Sequence, residues 1–149
     1  MRLLFSVIFI AALAISVKTL GASCTASAEA VFSVFEFEID ECEVKKIAGK
    51  DGFSVDLTKL ETGDETRDSH MRNKYLEVSK YPKATFVFTS KNKDTFSGML
   101  SFHGKKRKIS GVRNGKTYTF KIDVTKFGVK IPEYGSITIA KMINIIVEL

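Results

Sequence analysis

The 149-residue chain has no Trp, only two Pro and two His, and only two Cys. Two cysteines cannot build a disulfide scaffold or a four-cysteine zinc site. Two Pro and ten Gly exclude collagen-like and Pro-rich low-complexity classes. The charge-free run Leu3–Val17 falls short of the roughly 20 apolar residues that a spanning helix needs, and Lys18 ends it. At this length one domain is expected, because two independent cores would each be too small. Hydrophobic residues make up 44% and charged ones 27%, which excludes a disordered tail and a multispanning helical protein. Lys and Arg outnumber Asp and Glu by 23 to 17, a balance that would suit nucleic acid. The N-terminal segment points elsewhere.

Met1-Arg2 is a short basic start, Leu3–Val17 has the length of a signal-peptide core, and Ala26-Ser27-Ala28 is an A-x-A cleavage signal. The expected organisation is therefore a signal peptide over residues 1–28 and one domain over residues 29–149. Loss of Arg2 and Lys18 lowers the net charge from +6 to +4. Export, to the periplasm or outside the cell, takes the protein away from nucleic acid. Gly21-Ala22-Ser23-Cys24 resembles a degenerate lipobox, and the alternative is a lipoprotein anchored at Cys24. Cleavage after Ala28 leaves Cys42 a lone thiol. Retention of an unlipidated Cys24 opens a Cys24–Cys42 disulfide instead.

Beyond Ala28 most segments alternate apolar and polar residues with period two, the pattern of half-buried strands. Phe35, Phe37 and Ile39 share one face; so do Phe53, Val55 and Leu57, and Phe86 and Phe88. Phe96, Gly98, Leu100 and Phe102 form another such set, as do Tyr118, Phe120, Ile122 and Val124. Residues 137–149 are apolar on both faces in places and so more enclosed. Short turns at 91–94, 104–105 and 113–116 separate neighbours, and Asn114-Gly115 is a hairpin signal suited to a type I′ turn. Residues 84–124 thus read as a four-stranded antiparallel meander. Its apolar inner face must be covered, and closure into a barrel does so while removing exposed edges.

One segment departs from this pattern. Thr62 and Glu65 have capping-box spacing, His70, Met71, Lys74, Tyr75 and Val78 follow at helical intervals, and Pro82 prevents helix beyond Tyr81. One short helix over about residues 65–77, bridging two strands, is expected.

The stretch Asp51–Ser90 carries Leu60-Glu61-Thr62-Gly63-Asp64, then Arg67-Asp68-Ser69-His70-Met71, then Lys80-Tyr81-Pro82-Lys83-Ala84-Thr85-Phe86. With the later Gly98-x-Leu100 strand ending in Phe102-His103-Gly104, this ordered combination resembles the YceI-like family of bacterial exported proteins. The resemblance covers residues 51–111 most clearly. It implies an all-β, antiparallel lipocalin-like barrel whose elongated cavity holds long polyisoprenoid chains, quinone-type tails included, without catalysis and without a further cofactor. Arg67, Asp68, His70, Tyr81, Pro82 and Phe86 are the family-motif positions, expected to be structural. The family's opening strand pair has no counterpart between Ala28 and Phe35, so a barrel short of strands and a smaller or partly open cavity are expected.

From the residues themselves, a small barrel has room for packed side chains or for one ligand. Phe86, Phe88, Phe96, Leu100, Phe102, Phe120 and Ile122 are the candidate lining. The competing expectation is a filled barrel that acts as a surface interaction or stress-associated module. Arg67 and Asp68 are expected to pair or cap, fixing the helix at the barrel mouth. His70, His103 and Cys42 lack ligand spacing such as H-x₃₋₅-H, and no G-x-S-x-G elbow is present, so neither a metal site nor an enzyme is expected. Lys105, Lys106, Arg107 and Lys108 form a basic run suited to guarding a strand edge or to touching an anionic membrane surface. Oligomeric state leaves no mark on the sequence.

Overall fold

In a computed structural model, the structure describes residues 23–31, 36–39, 41–131, 133–134 and 137–149. The expected signal-peptide core, Leu3–Val17, lies outside the described residues, as does Phe35 of the first alternating set.

Eleven strands occur among them: β1 (Ser23–Val31), β2 (Glu36–Ile39), β3 (Glu41–Lys46), β4 (Gly52–Glu61), β5 (Lys83–Lys91), β6 (Thr95–Phe102), β7 (Lys105–Asn114), β8 (Thr117–Asp123), β9 (Glu133–Tyr134), β10 (Ile137–Ile139) and β11 (Met142–Glu148). One helix, α1 (Glu65–His70), runs on into a π-helical turn (Met71–Tyr75) between β4 and β5. A 3₁₀ turn (Val124–Phe127) follows β8.

All the strand pairs are antiparallel, in the order β3-β4-β5-β6-β7-β8-β11-β1-β10-β9. The seven strands from β3 to β11 make a curled half-barrel, and β5 to β8 are the meander that the short turns imply. β1 continues the curl. Its first part pairs with β11 (Ser23↔Glu148 to Ser27↔Asn144) and its middle with β2 (Ala26↔Ile39 to Glu29↔Glu36). Since only residue 40 separates β2 from β3, this strand pair returns the sheet to its start. β1 supplies the strand that the sequence does not show between Ala28 and Phe35. It begins at Ser23, and its alternating apolar positions, Cys24, Ala26, Ala28 and Ala30, are all small.

The inner face is built by period-two burial. Phe96, Leu100 and Phe102 on β6, and Tyr118, Phe120 and Ile122 on β8, are all buried. Phe86, fully buried, stacks with Phe53 at 5.5 Å between ring centroids and meets Phe96 edge-on at 5.7 Å. Burial of one such ring contributes about 1.5–3 kcal/mol. Gly98 makes room for it: a β-carbon there would lie 2.4 Å from the Phe86 ring.

The hairpins differ from expectation in one respect. The turn with two central residues at positive φ is His103-Gly104, at 50° and 73°, flanked by the Phe102↔Lys105 pair. At the expected place only Gly115 is positive, and Asn114 pairs with Thr117, so the loop is Gly115-Lys116. Glycine at the first central position suits a type II′ turn instead.

Candidate functional site: an apolar cavity capped by α1

The sheet encloses a cavity of about 580 Å³. Phe53, Val55 and Leu57 of β4, Phe86 of β5, Leu100 and Phe102 of β6, and Phe120 and Ile122 of β8 supply much of its wall. Ile143, Ile145 and Val147 of β11 complete the inward row, and Met71, Tyr75 and Leu76 cover it from above. Polar lining residues are concentrated at and before α1: the buried Thr62, then Asp64, Thr66, Arg67 and His70; Lys130 lines the cavity as well. Asp64, Thr66, His70 and Lys130 are exposed, which marks this rim as the mouth.

Of the expected lining, Phe86, Leu100, Phe102, Phe120 and Ile122 lie along the wall. Phe88 and Phe96 do not. Their rings pack against each other (5.8 Å) and against Tyr118 (5.0 and 5.2 Å), filling the sheet's interior behind the wall ring of Phe86, which each of them touches (5.1 and 5.7 Å). Period two assigns a residue to the inner face but says nothing of its height along the barrel. The β4 contribution was visible as apolar alternation and the β11 one as a stretch apolar on both faces, yet nothing local distinguishes a strand that faces empty space from one that faces a packed core. Cys42 also lines the cavity and is disulfide-bonded.

The motif residues knit α1 to the end of β4. Asp64 is the N-cap, its carboxylate accepting from the Arg67 backbone N–H at 2.8 Å. Thr62, expected to cap, is engaged otherwise. The buried Asp68 carboxylate accepts from its backbone N–H (2.8 Å) and its hydroxyl (2.5 Å). The Arg67 guanidinium donates to the Thr62 hydroxyl and carbonyl, both at 2.7 Å. His70 ends α1, exposed at the mouth. Tyr81 stacks on the buried His103 ring at 4.5 Å, and the Pro82 carbonyl accepts from the Leu57 N–H at 2.9 Å. Among the described residues no three His, Cys, Asp or Glu side chains are placed to hold a metal ion.

Outside the cavity, Glu43 of β3 is held between the Lys45 and Lys59 ammonium groups, which lower its carboxyl from 4.5 to about 2. Asp123 accepts from the Thr125 hydroxyl and N–H, and these bonds hold it below the usual carboxylate range.

The sequence pattern of the YceI-like domain matches residues 9–149. The chain belongs to the YceI-like family. BcnA of Burkholderia cenocepacia shares the fold with a TM-score of 0.60 at 18% identity, over 85% of this chain and 93% of that one. A polyisoprenoid-binding domain from Saccharophagus degradans, implicated in plant cell wall breakdown, gives 0.55 at 16% identity, over 85% and 90%. Identities this low show a common lipocalin-like fold. No curated protein matches the chain. Within this YceI-like barrel the motif residues hold the helix over the cavity, and the cavity wall itself is apolar.

Proposed function

We propose that this YceI-like protein is exported, to the periplasm or beyond, and holds or ferries an isoprenoid or similar long apolar chain in its barrel, without catalysing a reaction. The observation that carries the reading is the cavity: about 580 Å³, walled by Phe, Leu, Ile and Val, open at a polar mouth. That volume lies in the range of ligand sites, roughly 300–1,000 Å³. It weighs against the filled-barrel alternative, whose interior would be occupied by its own side chains. An isoprenoid or quinone-type tail asks for apolar area and few hydrogen bonds, which is what the wall offers. The polyisoprenoid-binding domain among the structural relatives supports the same ligand class.

The basic run is part of the reading, as a contact with an anionic membrane surface. Lys105, Lys106, Arg107 and Lys108 are all exposed. They lie where β7 has parted from β8, whose ladder covers only Val112 to Asn114. Lys121 and Lys126 border the same cleft, and the Arg107 guanidinium bridges it to the Lys126 carbonyl at 2.9 Å. Each cation near an anionic surface contributes up to about 1 kcal/mol.

The test is native mass spectrometry and lipid extraction of protein purified from the export compartment, with uptake of added polyprenol. A co-purifying apolar lipid, or saturable uptake, is expected. Absence of both removes the binding reading.

A further inference from the structure

The Ala26-Ser27-Ala28 signal falls inside β1. A chain beginning at Glu29 would lose every β1 pair with β11, Ser23 to Ser27, and every pair with β2 except Glu29↔Glu36. β11 would become an open edge carrying Met142, Ile146 and their neighbours, and β2 would have almost nothing to pair with. An unpaired edge next to an apolar cavity is an aggregation hazard that exported proteins avoid.

Cys42 adds an independent observation. It is disulfide-bonded, and Cys24 is the only other cysteine in the chain. Cys42 stands at the irregularity between Glu41 and Glu43, where β3 takes over from β2. The β1/β2 register (Ala26↔Ile39) continued by two residues sets Cys24 opposite position 41, next to Cys42. β1 also packs on β3. The backbone register therefore brings positions 24 and 42 to the seam where the sheet returns to its start, and Cys42 is on the cavity wall.

We infer that Cys24 and Cys42 form a disulfide that closes the barrel seam, and that export processing cuts the chain at or before the Ala22–Ser23 bond so that Cys24 is kept. The bond forms by thiol–disulfide exchange: two thiols lose two electrons and two protons to an oxidised disulfide carrier, which leaves as its dithiol. An oxidising export compartment supplies such carriers. A lipid on Cys24 would need the same sulfur, so the staple and the lipid anchor exclude each other. The inference rests on the export reading and not on the ligand.

The test is the intact mass of the full chain expressed with export and recovered without reductant. The expected species begins at or before Ser23, weighs two hydrogens less than after reduction, and takes up two alkylating groups only after reduction. A chain beginning at Glu29, a mass increment for an acyl group at Cys24, or a Cys42-linked dimer overturns the inference while leaving lipid uptake to be judged separately. A reduced chain with Met1 intact overturns the export reading as well. Cys24→Ser, Cys42→Ser and the double variant provide a second measurement. Each is expected to lower Tm by the same amount, on the order of 10 °C, because each breaks the same bond. Effects that add in the double variant, or no effect in either single one, also overturn it.

Discussion

Glu77 and His103 are the non-glycine residues held at positive φ among the described residues, at 47° and 50°, and they face each other, the Glu77 Oε2 lying 2.9 Å from the His103 Nε2. The other ring nitrogen, Nδ1, is 3.1 Å from the Phe127 carbonyl. Nε2 makes no hydrogen bond of good geometry, so the Glu77 carboxylate stands close to the ring without accepting from it. Through this contact and the Tyr81 stack, the segment leaving the π-helical turn is held against the β6–β7 hairpin. Two backbone positions that resist side chains are thus held by the residues that occupy them.

Glu77 allows backbone and charge to be separated. Glu77→Ala keeps a β-carbon in the left-handed region and removes the carboxylate, whereas Glu77→Gly removes both the carboxylate and the backbone conflict. In urea denaturation the Gly variant is expected to exceed the Ala variant by about 1 kcal/mol. Equal stabilities would mean that the positive φ carries no strain.

Gly98 tests the packing of the inner face. A β-carbon at this position would meet the Phe86 ring at 2.4 Å and the Val87 carbonyl at the same distance, and the backbone oxygen cannot rotate away. Gly98→Ala is expected to lower stability by about 1–3 kcal/mol, the usual effect of overpacking. Pairing it with Phe86→Leu should recover part of the loss. Independent, additive losses would show that the ring is not what the glycine accommodates.

The strands β4 to β8 with their meander, the helix between β4 and β5 and the barrel class were legible because period two, short turns and the Thr62–Phe86 motif are local signals, whereas β9 left no signal and β10 and β11 read as one segment. Three features were not. β1 opens in Ser, Cys, Thr and Ala before Glu29 and Val31, a composition shared with a signal-peptide end, and its alternating positions are too small to mark a strand without the pairing with β11 and β2. The cap at Asp64 is hidden because Thr62, the better-placed residue by spacing, is taken by Asp68 from a position six residues away. The division of the Phe set into wall (Phe86, Phe102, Phe120) and packed cluster (Phe88, Phe96) depends on height along the barrel, which alternation does not encode.

Asp68 should be intolerant of change although it does not line the cavity. Its buried carboxylate satisfies the Thr62 N–H and orients the Thr62 hydroxyl that Arg67 also uses. Asp68→Ala leaves a buried donor without its partner, an expected loss of about 1–3 kcal/mol. Asp68→Asn retains an acceptor oxygen and should lose less. Thermal unfolding followed by circular dichroism separates the two; equal losses would remove the hydrogen-bond explanation.

Glu43 gives the pH dependence a sign. Its folded carboxyl titrates at about 2 against an ordinary 4.5, so the folded state binds its proton less readily than the unfolded chain. The stabilisation is complete above about 4.5 and is lost as pH falls towards 2. Wild type should therefore be more stable than Glu43→Gln at pH 6, with the gap closing as pH falls through that window. Added salt should narrow the gap at pH 6, because the pair with Lys45 and Lys59 is solvent-facing. A gap that persists at pH 2 would assign it to packing rather than charge.

The division of the aromatic set yields the sharpest test of the cavity itself. Ala84 is on the cavity wall, half-buried, on the strand that also supplies Phe86. Ala84→Trp places an indole in the space proposed for the ligand, whereas Phe88→Leu changes a ring that is not on the wall but packs behind it. The Trp variant should lose at least about tenfold in affinity for a fluorescent polyprenol, which corresponds to ~1.4 kcal/mol. The Leu variant should bind as wild type while losing about 1 kcal/mol of stability with its aromatic contacts. Circular dichroism on both confirms that each remains folded before uptake is compared. Reversal of the pattern, with uptake lost in Phe88→Leu and kept in Ala84→Trp, would move the binding site to the packed cluster and out of the cavity.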